Sequence, residues 1–193
     1  MLVVSNSSPL IALARLSHLD WLRSLYGEIW IPQAVYQEVV QAGKGREGSA
    51  AVDSAPWITV HTVQDEIAVD LLRDQLDRGE SEAIVLAIEA QAQLLLIDEA
   101  RGRRIAQSRG LTHIGTIGIV VLAKRQNLIL SGTAILDQLI KIGFRMDSNH
   151  PPQHWVLTVV YNSHDHRSEV WVYDGCHFGG QPVGRLQLPQ VVP

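Results

Sequence analysis

The chain has 193 residues, 46% of them hydrophobic, and a formal net charge of −4 at pH 7. That length suits one ordinary domain with room for an extension, and the net acidity argues against wholesale coating of nucleic acid. The single cysteine, Cys176, excludes an intrachain disulfide and a cysteine-based zinc site. No signal peptide is expected, because Met1-Leu2-Val3-Val4 is short and lacks a basic n-region. No apolar run approaches the roughly 20 residues that span a bilayer. A cytoplasmic protein with no membrane partner is the expectation.

Leu2-Val3-Val4 predicts a short buried strand that delivers Ser5-Asn6-Ser7 to its carboxyl end. Ser8 then reads as a helix N-cap with Pro9 at the first helical position, and the helix continues to Leu16. Asn6 stands just past a strand end, as a site residue or simply as a turn residue. Glu28-Ile29-Trp30-Ile31 is a second strand, and Pro32 opens a helix through Val40. Glu38 lies a turn after Ala34 and Val35, on their side; from this helix alone a solvated surface glutamate is the better reading. Residues 41–55 are rich in Gly, Ser, Lys and Glu and read as a mobile loop. Trp57-Ile58-Thr59-Val60 alternates like a peripheral strand, and Asp65 to Leu76 is an amphipathic helix.

The stretch Gly79 to Arg104, GESEAIVLAIEAQAQLLLIDEARGRR, carries the densest information. Glu80 falls one and two helical turns before Ala83, Ile84 and Ala87, which puts it on the core-facing side of a helix. Glu82 is about 200° around that helix and reads as the more solvated of the two. The apolar run Leu94-Leu95-Leu96-Ile97 predicts a buried strand ending in Asp98-Glu99, with Arg101, Arg103 and Arg104 directly after. From Ala100 to Leu136 there is no Asp or Glu, so a basic patch exists despite the net charge. Leu111 to Ile114 is a further short parallel strand, and Gly115-Thr116-Ile117-Gly118 turns the chain into an apolar helix from Ile119 to Lys124. Thr116 suits either a phosphate or metal-bound water, or the commoner role of helix cap. Ser131 to Ile142 is another helix. His18, His61 and His113 stand singly, without ligand spacing, and read as structural or surface residues.

From about His150 the style changes. Pro151-Pro152 breaks the chain, and strands follow at Trp155–Tyr161, Glu169–Tyr173 and Val183–Leu188. They make a hairpin or meander that is too small to be stable by itself. His164 and His166 lie on its turn, with no third ligand nearby in sequence.

Asn6, Glu38, Glu80 and Asp98 come from four separate elements, each placed to converge at one end of a sheet. Three carboxylates and an amide oxygen form a hard-oxygen set suited to Mg²⁺ or Mn²⁺ rather than zinc. Such a set can orient a phosphodiester and activate a water. Like charges brought together need a cation, or their pKa values rise. Arg101, Arg103 and Arg104 are placed to hold flanking phosphates, or else form an exposed basic helix end.

The segments VVSNSSPLIALARL, IPQAVYQEV, GESEAIVLA, LLLIDEARGRRIA and GTIGIVVLAKR, in that order, resemble the PIN-domain family over about residues 1–146. The likeness is to its VapC-like branch of nucleases found with antitoxins. The resemblance implies a Rossmann-like α/β/α sandwich with a central parallel sheet, and Mg²⁺- or Mn²⁺-dependent cleavage of RNA. It also implies an antitoxin protein as partner and a homodimer. By motif position Glu38, Glu80 and Asp98 are the catalytic and metal-binding acids, with Glu82, Glu99 and Thr116 as auxiliaries. Asn6 takes the place of the usual first aspartate. An amide oxygen can still coordinate the cation but brings no charge, so a module that binds RNA or an antitoxin without efficient cleavage is the alternative. The same change argues against an aspartyl-phosphate phosphatase, which needs a nucleophilic carboxylate there. A domain of residues 1–147 followed by an extension of 148–193 is expected. Within that extension WVLTVVYNSHDHRSEVWVYDG and PVGRLQLPQVVP resemble a blade segment of the carotenoid cleavage oxygenases, which implies a fused remnant with a structural role.

Overall fold

The computed structural model describes residues 1–144 and, beyond them, three strands at 155–161, 168–174 and 185–187. The chain divides into two compact units, Met1–Ile119 and Val120–Pro193. The expected domain boundary at 147–148 lies outside the described residues, as do His164 and His166.

The first unit holds a five-stranded parallel sheet of β1 (Val3–Ser5), β2 (Ile29–Pro32), β3 (Ile58–His61), β4 (Leu94–Leu96) and β5 (His113–Ile114), in the order β3-β2-β1-β4-β5. The chain winds outward from β1 through β2 to β3, then crosses back and winds the other way through β4 to β5. The reversal falls between β1 and β4. Ligands in open α/β sheets bind outside the carboxyl ends of the strands at that kind of point. Register pairs Val4 with Leu95 and Ser5 with Leu96, and Asn6 N–H donates to the Leu96 carbonyl at 3.0 Å. Residues just past β1 and β4 are therefore neighbours. Both strands are buried throughout, which explains why they read as unbroken apolar runs rather than alternating ones.

The helices of this unit are α1 (Ser7–Arg15), α2 (Asp20–Tyr26), α3 (Gln33–Tyr36), α4 (Ser49–Asp53), α5 (Glu66–Arg73), α6 (Arg78–Glu89), α7 (Ala100–Ser108) and the start of α8 (Thr116–Arg125). A π-helical turn, Gln37–Gln41, continues α3. Helix α6 lies against β1, β2 and β4, with α3, α5 and α7 beside it. Val4, Leu95 and Ile97 from the sheet join Ala83, Ile84 and Ala87 from α6 and Val69 and Leu72 from α5 in one core. The Rossmann-like α/β sandwich expected from the sequence is the fold observed.

The sequence reading misplaces the first helix boundary. Helix α1 begins at Ser7 with Asn6 as the extended residue before it, so Pro9 is the third helical residue rather than the first. Proline is tolerated there because the N–H groups of the whole first turn lack intrahelical partners. Helix α5 matches its expected start, with Asp65 accepting from Ala68 N at 2.9 Å. In the second unit, α9 (Gly132–Lys141) starts after the Ser131 cap. The strands β6 (Trp155–Tyr161), β7 (Ser168–Asp174) and β8 (Arg185–Gln187) form the expected antiparallel meander, and β6 runs beside α9. Among the described residues no helix is long and apolar enough to cross a membrane.

Candidate active site

At the carboxyl edge of the sheet, Asn6 is 2% exposed. Asparagine in the cap position of a helix ordinarily turns its side-chain oxygen onto the first turn of backbone N–H groups. Here no such bond forms, and Asn6 Oδ1 is buried without any hydrogen-bond partner. A buried acceptor left unpaired costs roughly 1–3 kcal/mol. Its neighbour Ser7 donates from Oγ to Glu38 Oε2 at 2.6 Å, which draws the π-helical turn toward the start of α1. Glu38 is also close to the start of α6: a Cβ placed on Gly79 would sit 3.1 Å from the same carboxylate oxygen.

Helix α6 opens with a reciprocal capping box. Asp77 Oδ1 accepts from Glu80 N at 2.7 Å, and Glu80 Oε2 accepts from Asp77 N at 3.4 Å. The box turns Glu80 back along the helix terminus, into a buried position. Burial, then the negative charges of Asp77, Glu99 and Glu38, push its carboxyl from the ordinary 4.5 up to about 7, against the opposing pull of the Asp77 backbone bond. Two of the acids singled out in the sequence, Glu38 and Glu99, thus act on Glu80 electrostatically.

Asp98 lies past β4 and is held from the next strand–helix junction. Thr116 N donates to Asp98 Oδ1 at 2.7 Å, and Thr116 Oγ1 donates to Oδ2 at 2.6 Å. Burial raises the Asp98 pKa, while these two bonds and the Arg103 charge pull it down. A Cβ on Gly115 would come within 2.7 Å of Asp98 Oδ1, so the junction can grip the carboxylate only where a side chain is missing. Thr116 stands at the start of α8, but its hydroxyl is committed to Asp98, a partner the sequence reading did not foresee.

Glu82 corrects the sequence reading. It is 4% exposed, not the more solvated of the pair. Its Oε2 accepts from Ala34 N at 2.9 Å and its Oε1 from Arg78 Nε at 2.7 Å. The helical wheel placed Glu82 away from the sheet, but α3 packs on that side of α6 and supplies both cover and a free backbone N–H. Glu82 therefore ties the start of α3 to α6, upstream of the turn that carries Glu38.

The basic cluster is partly committed. Arg101 Nη1 donates to the Gln75 carbonyl at 3.1 Å, and Arg103 Nη1 donates to the backbone carbonyl of Asp98. Arg104 is exposed on α7. Sequence alone could not show the Arg101 bond, because Gln75 lies 26 residues earlier, in the turn between α5 and α6. Among the described residues, no group of three or more His, Cys, Asp or Glu stands together as a metal cage.

A family model described as PIN domain matches residues 2–152. A second, described as Retinal pigment epithelial membrane protein, matches residues 148–193. That second match is partial and does not make the tail a carotenoid-oxygenase fragment. No curated protein matches the chain.

Proposed function

The chain belongs to the PIN-domain family, and on that premise we propose that it is a ribonuclease that hydrolyses RNA phosphodiester bonds with Mg²⁺ or Mn²⁺. The observation that carries this reading is Asn6 Oδ1, an acceptor buried without a partner at the strand reversal, beside the end of β4 that leads into Asp98. The donor chemistry fits a hard cation, since every candidate is an oxygen. Asn6, Glu38, Glu80 and Asp98 would hold it. With no closed cage of three acids among the described residues, water would complete its shell, as Mg²⁺ commonly permits. When bound, the ion would polarise a phosphate oxygen and lower the pKa of a bound water.

The chain's own residues supply the rest. Thr116 and the bare Gly115 fix Asp98 in one orientation. Ser7 fixes Glu38. Burial and neighbouring acids push the Glu80 carboxyl up to about 7, and a cation beside it would favour its ionised, ligating form. Arg104 and the ends of Arg101 and Arg103 are candidates for flanking phosphates. The VapC-like resemblance adds an antitoxin protein as partner and a homodimer as the assembled form.

A second reading is a PIN module that binds RNA or an antitoxin with little cleavage. It is favoured by two features: Asn6 brings no charge, and both Asp98 oxygens already accept bonds from Thr116. One panel separates the readings. Cleavage of structured RNAs with Mg²⁺ or Mn²⁺ is measured for the wild-type chain, Asp98→Asn and Asn6→Asp. The ribonuclease reading expects wild-type activity that Asp98→Asn abolishes. Cleavage by Asn6→Asp alone selects the binding module, and activity equal in the wild type and Asp98→Asn sinks the site assignment.

A further inference from the structure

A cleft of about 440 Å³ opens beside Glu38, between α1, the π-helical turn and residues 43–49. Ile11 and Val39 line it, and its charged groups are Arg15, Arg46, Glu38 and Glu47. The loop that forms one wall, Gly43-Lys44-Gly45-Arg46-Glu47-Gly48, was expected to be mobile but is anchored at both ends. A Cβ on Gly43 would strike the Val39 carbonyl, and one on Gly48 would lie 2.7 Å from Ala14 Cβ. Gly48 also has φ +91°, which favours glycine. These two glycines let the loop close onto the π-helical turn and onto the last turn of α1. Closure brings Arg46 and Arg15 to one cavity with an acid of the candidate site.

We propose that this cleft is a subsite for a backbone phosphate of single-stranded RNA one or two nucleotides from the bond to be cut, held by Arg15 and Arg46. The inference deepens the ribonuclease reading and rests on it. Guanidinium groups suit phosphate geometry, and Ile11 and Val39 offer apolar surface for a sugar or base edge. Arg46 is exposed. Arg15 meets Glu47 at 3.7 Å, and the Glu47 side chain is 78% exposed, so that carboxylate can swing into water when a phosphate arrives. Glu47 then competes with RNA for Arg15, and its removal should tighten binding. A cleft built for a basic peptide would behave in the opposite way.

The test is fluorescence anisotropy of the full chain with a labelled short single-stranded RNA, in EDTA to prevent cleavage, across a salt series. Each phosphate contact on single-stranded RNA contributes about 0.7 to the slope of log K against log salt. Arg46→Gln should lower that slope by about 0.7 and weaken binding about fivefold at 0.1 M salt. Arg15→Gln should do the same, and Glu47→Gln should tighten binding. Thermal melts confirm folding, and Arg46, on an exposed loop, decides the matter should Arg15→Gln fail to fold. Wild-type binding with unchanged slope and affinity in Arg46→Gln overturns the subsite and leaves the ribonuclease reading standing. Weaker binding by Glu47→Gln overturns it in favour of a cationic ligand. No RNA binding or cleavage by the wild type removes the ribonuclease reading itself, and the subsite with it.

Discussion

Glu80 is the residue at which the fold's stability and the site's chemistry conflict most directly. Its carboxyl is raised from 4.5 to about 7 by burial and by neighbouring acids, so the folded chain resists its ionisation. The sign follows from linkage. Below pH 4.5 the group is protonated folded or unfolded and contributes nothing. As pH rises toward 7 the unfolded chain ionises first, and above 7 the folded chain carries the full cost. At about 1.36 kcal/mol per pH unit the ceiling is about 3.4 kcal/mol. Residual solvent contact and relaxation reduce this to roughly 1.5 kcal/mol. Glu80→Gln keeps an oxygen for the Asp77 N–H and removes the charge. In EDTA it should therefore melt roughly 3–6 °C above wild type at pH 8, and nearly with it at pH 4.5. Adding Mn²⁺ should raise the wild-type melting temperature at pH 8 and leave Glu80→Gln unmoved. Differential scanning calorimetry of both proteins reads all three conditions. A variant no more stable than wild type at pH 8 would refute the electrostatic account of this acid.

Two further substitutions probe the supports around it. Gly115→Ala should push Asp98 off its Thr116 partners, given the 2.7 Å approach of the new Cβ. Overpacking of this kind costs about 1–3 kcal/mol, read by urea denaturation; unchanged stability would show that the junction is looser than described. Glu82→Ala leaves the buried Ala34 N–H without its acceptor, a loss of about 1–3 kcal/mol. If Glu82 positions the turn that carries Glu38, cleavage should fall further in Glu82→Ala than in Glu82→Gln, which keeps an acceptor, at matched folded fraction.

Much of this organisation was legible in the sequence because its signals are local. Leu94–Ile97 could hardly be other than a buried strand, and Asp98 had to follow it. The starts of α5 and α9, read at Asp65 and Ser131 and found one residue later with those residues as caps, also follow from neighbours in the chain. What was not legible depends on partners distant in sequence. Glu82 turned out buried because α3, 48 residues earlier at Ala34, supplies its donor. Asp98 and Thr116 are joined across 18 residues, and only the parallel pairing of β4 and β5 sets that distance. The helical wheel describes a helix in isolation, and α6 is covered on both sides of the stripe it shows to the sheet. Asn6 was legible as a position; that its side chain declines the cap it could make was not.

The strand order also constrains how the chain can be divided. β1 sits in the middle of the sheet, with β2 on one side and β4 on the other. A fragment that stops before Leu94 would still contain β1, β2 and β3 with their helices. It would, however, present Val3-Val4-Ser5, fully buried in the intact chain, as a bare sheet edge. Unpaired apolar edges recruit other chains. During synthesis the same exposure lasts until the segment from Leu94 onward emerges, when the strand finds its second neighbour and Asp98 arrives beside Asn6 in the same event. Covering the second edge of β1 and placing Asp98 past the end of its new neighbour are thus one step, and a truncated product has neither.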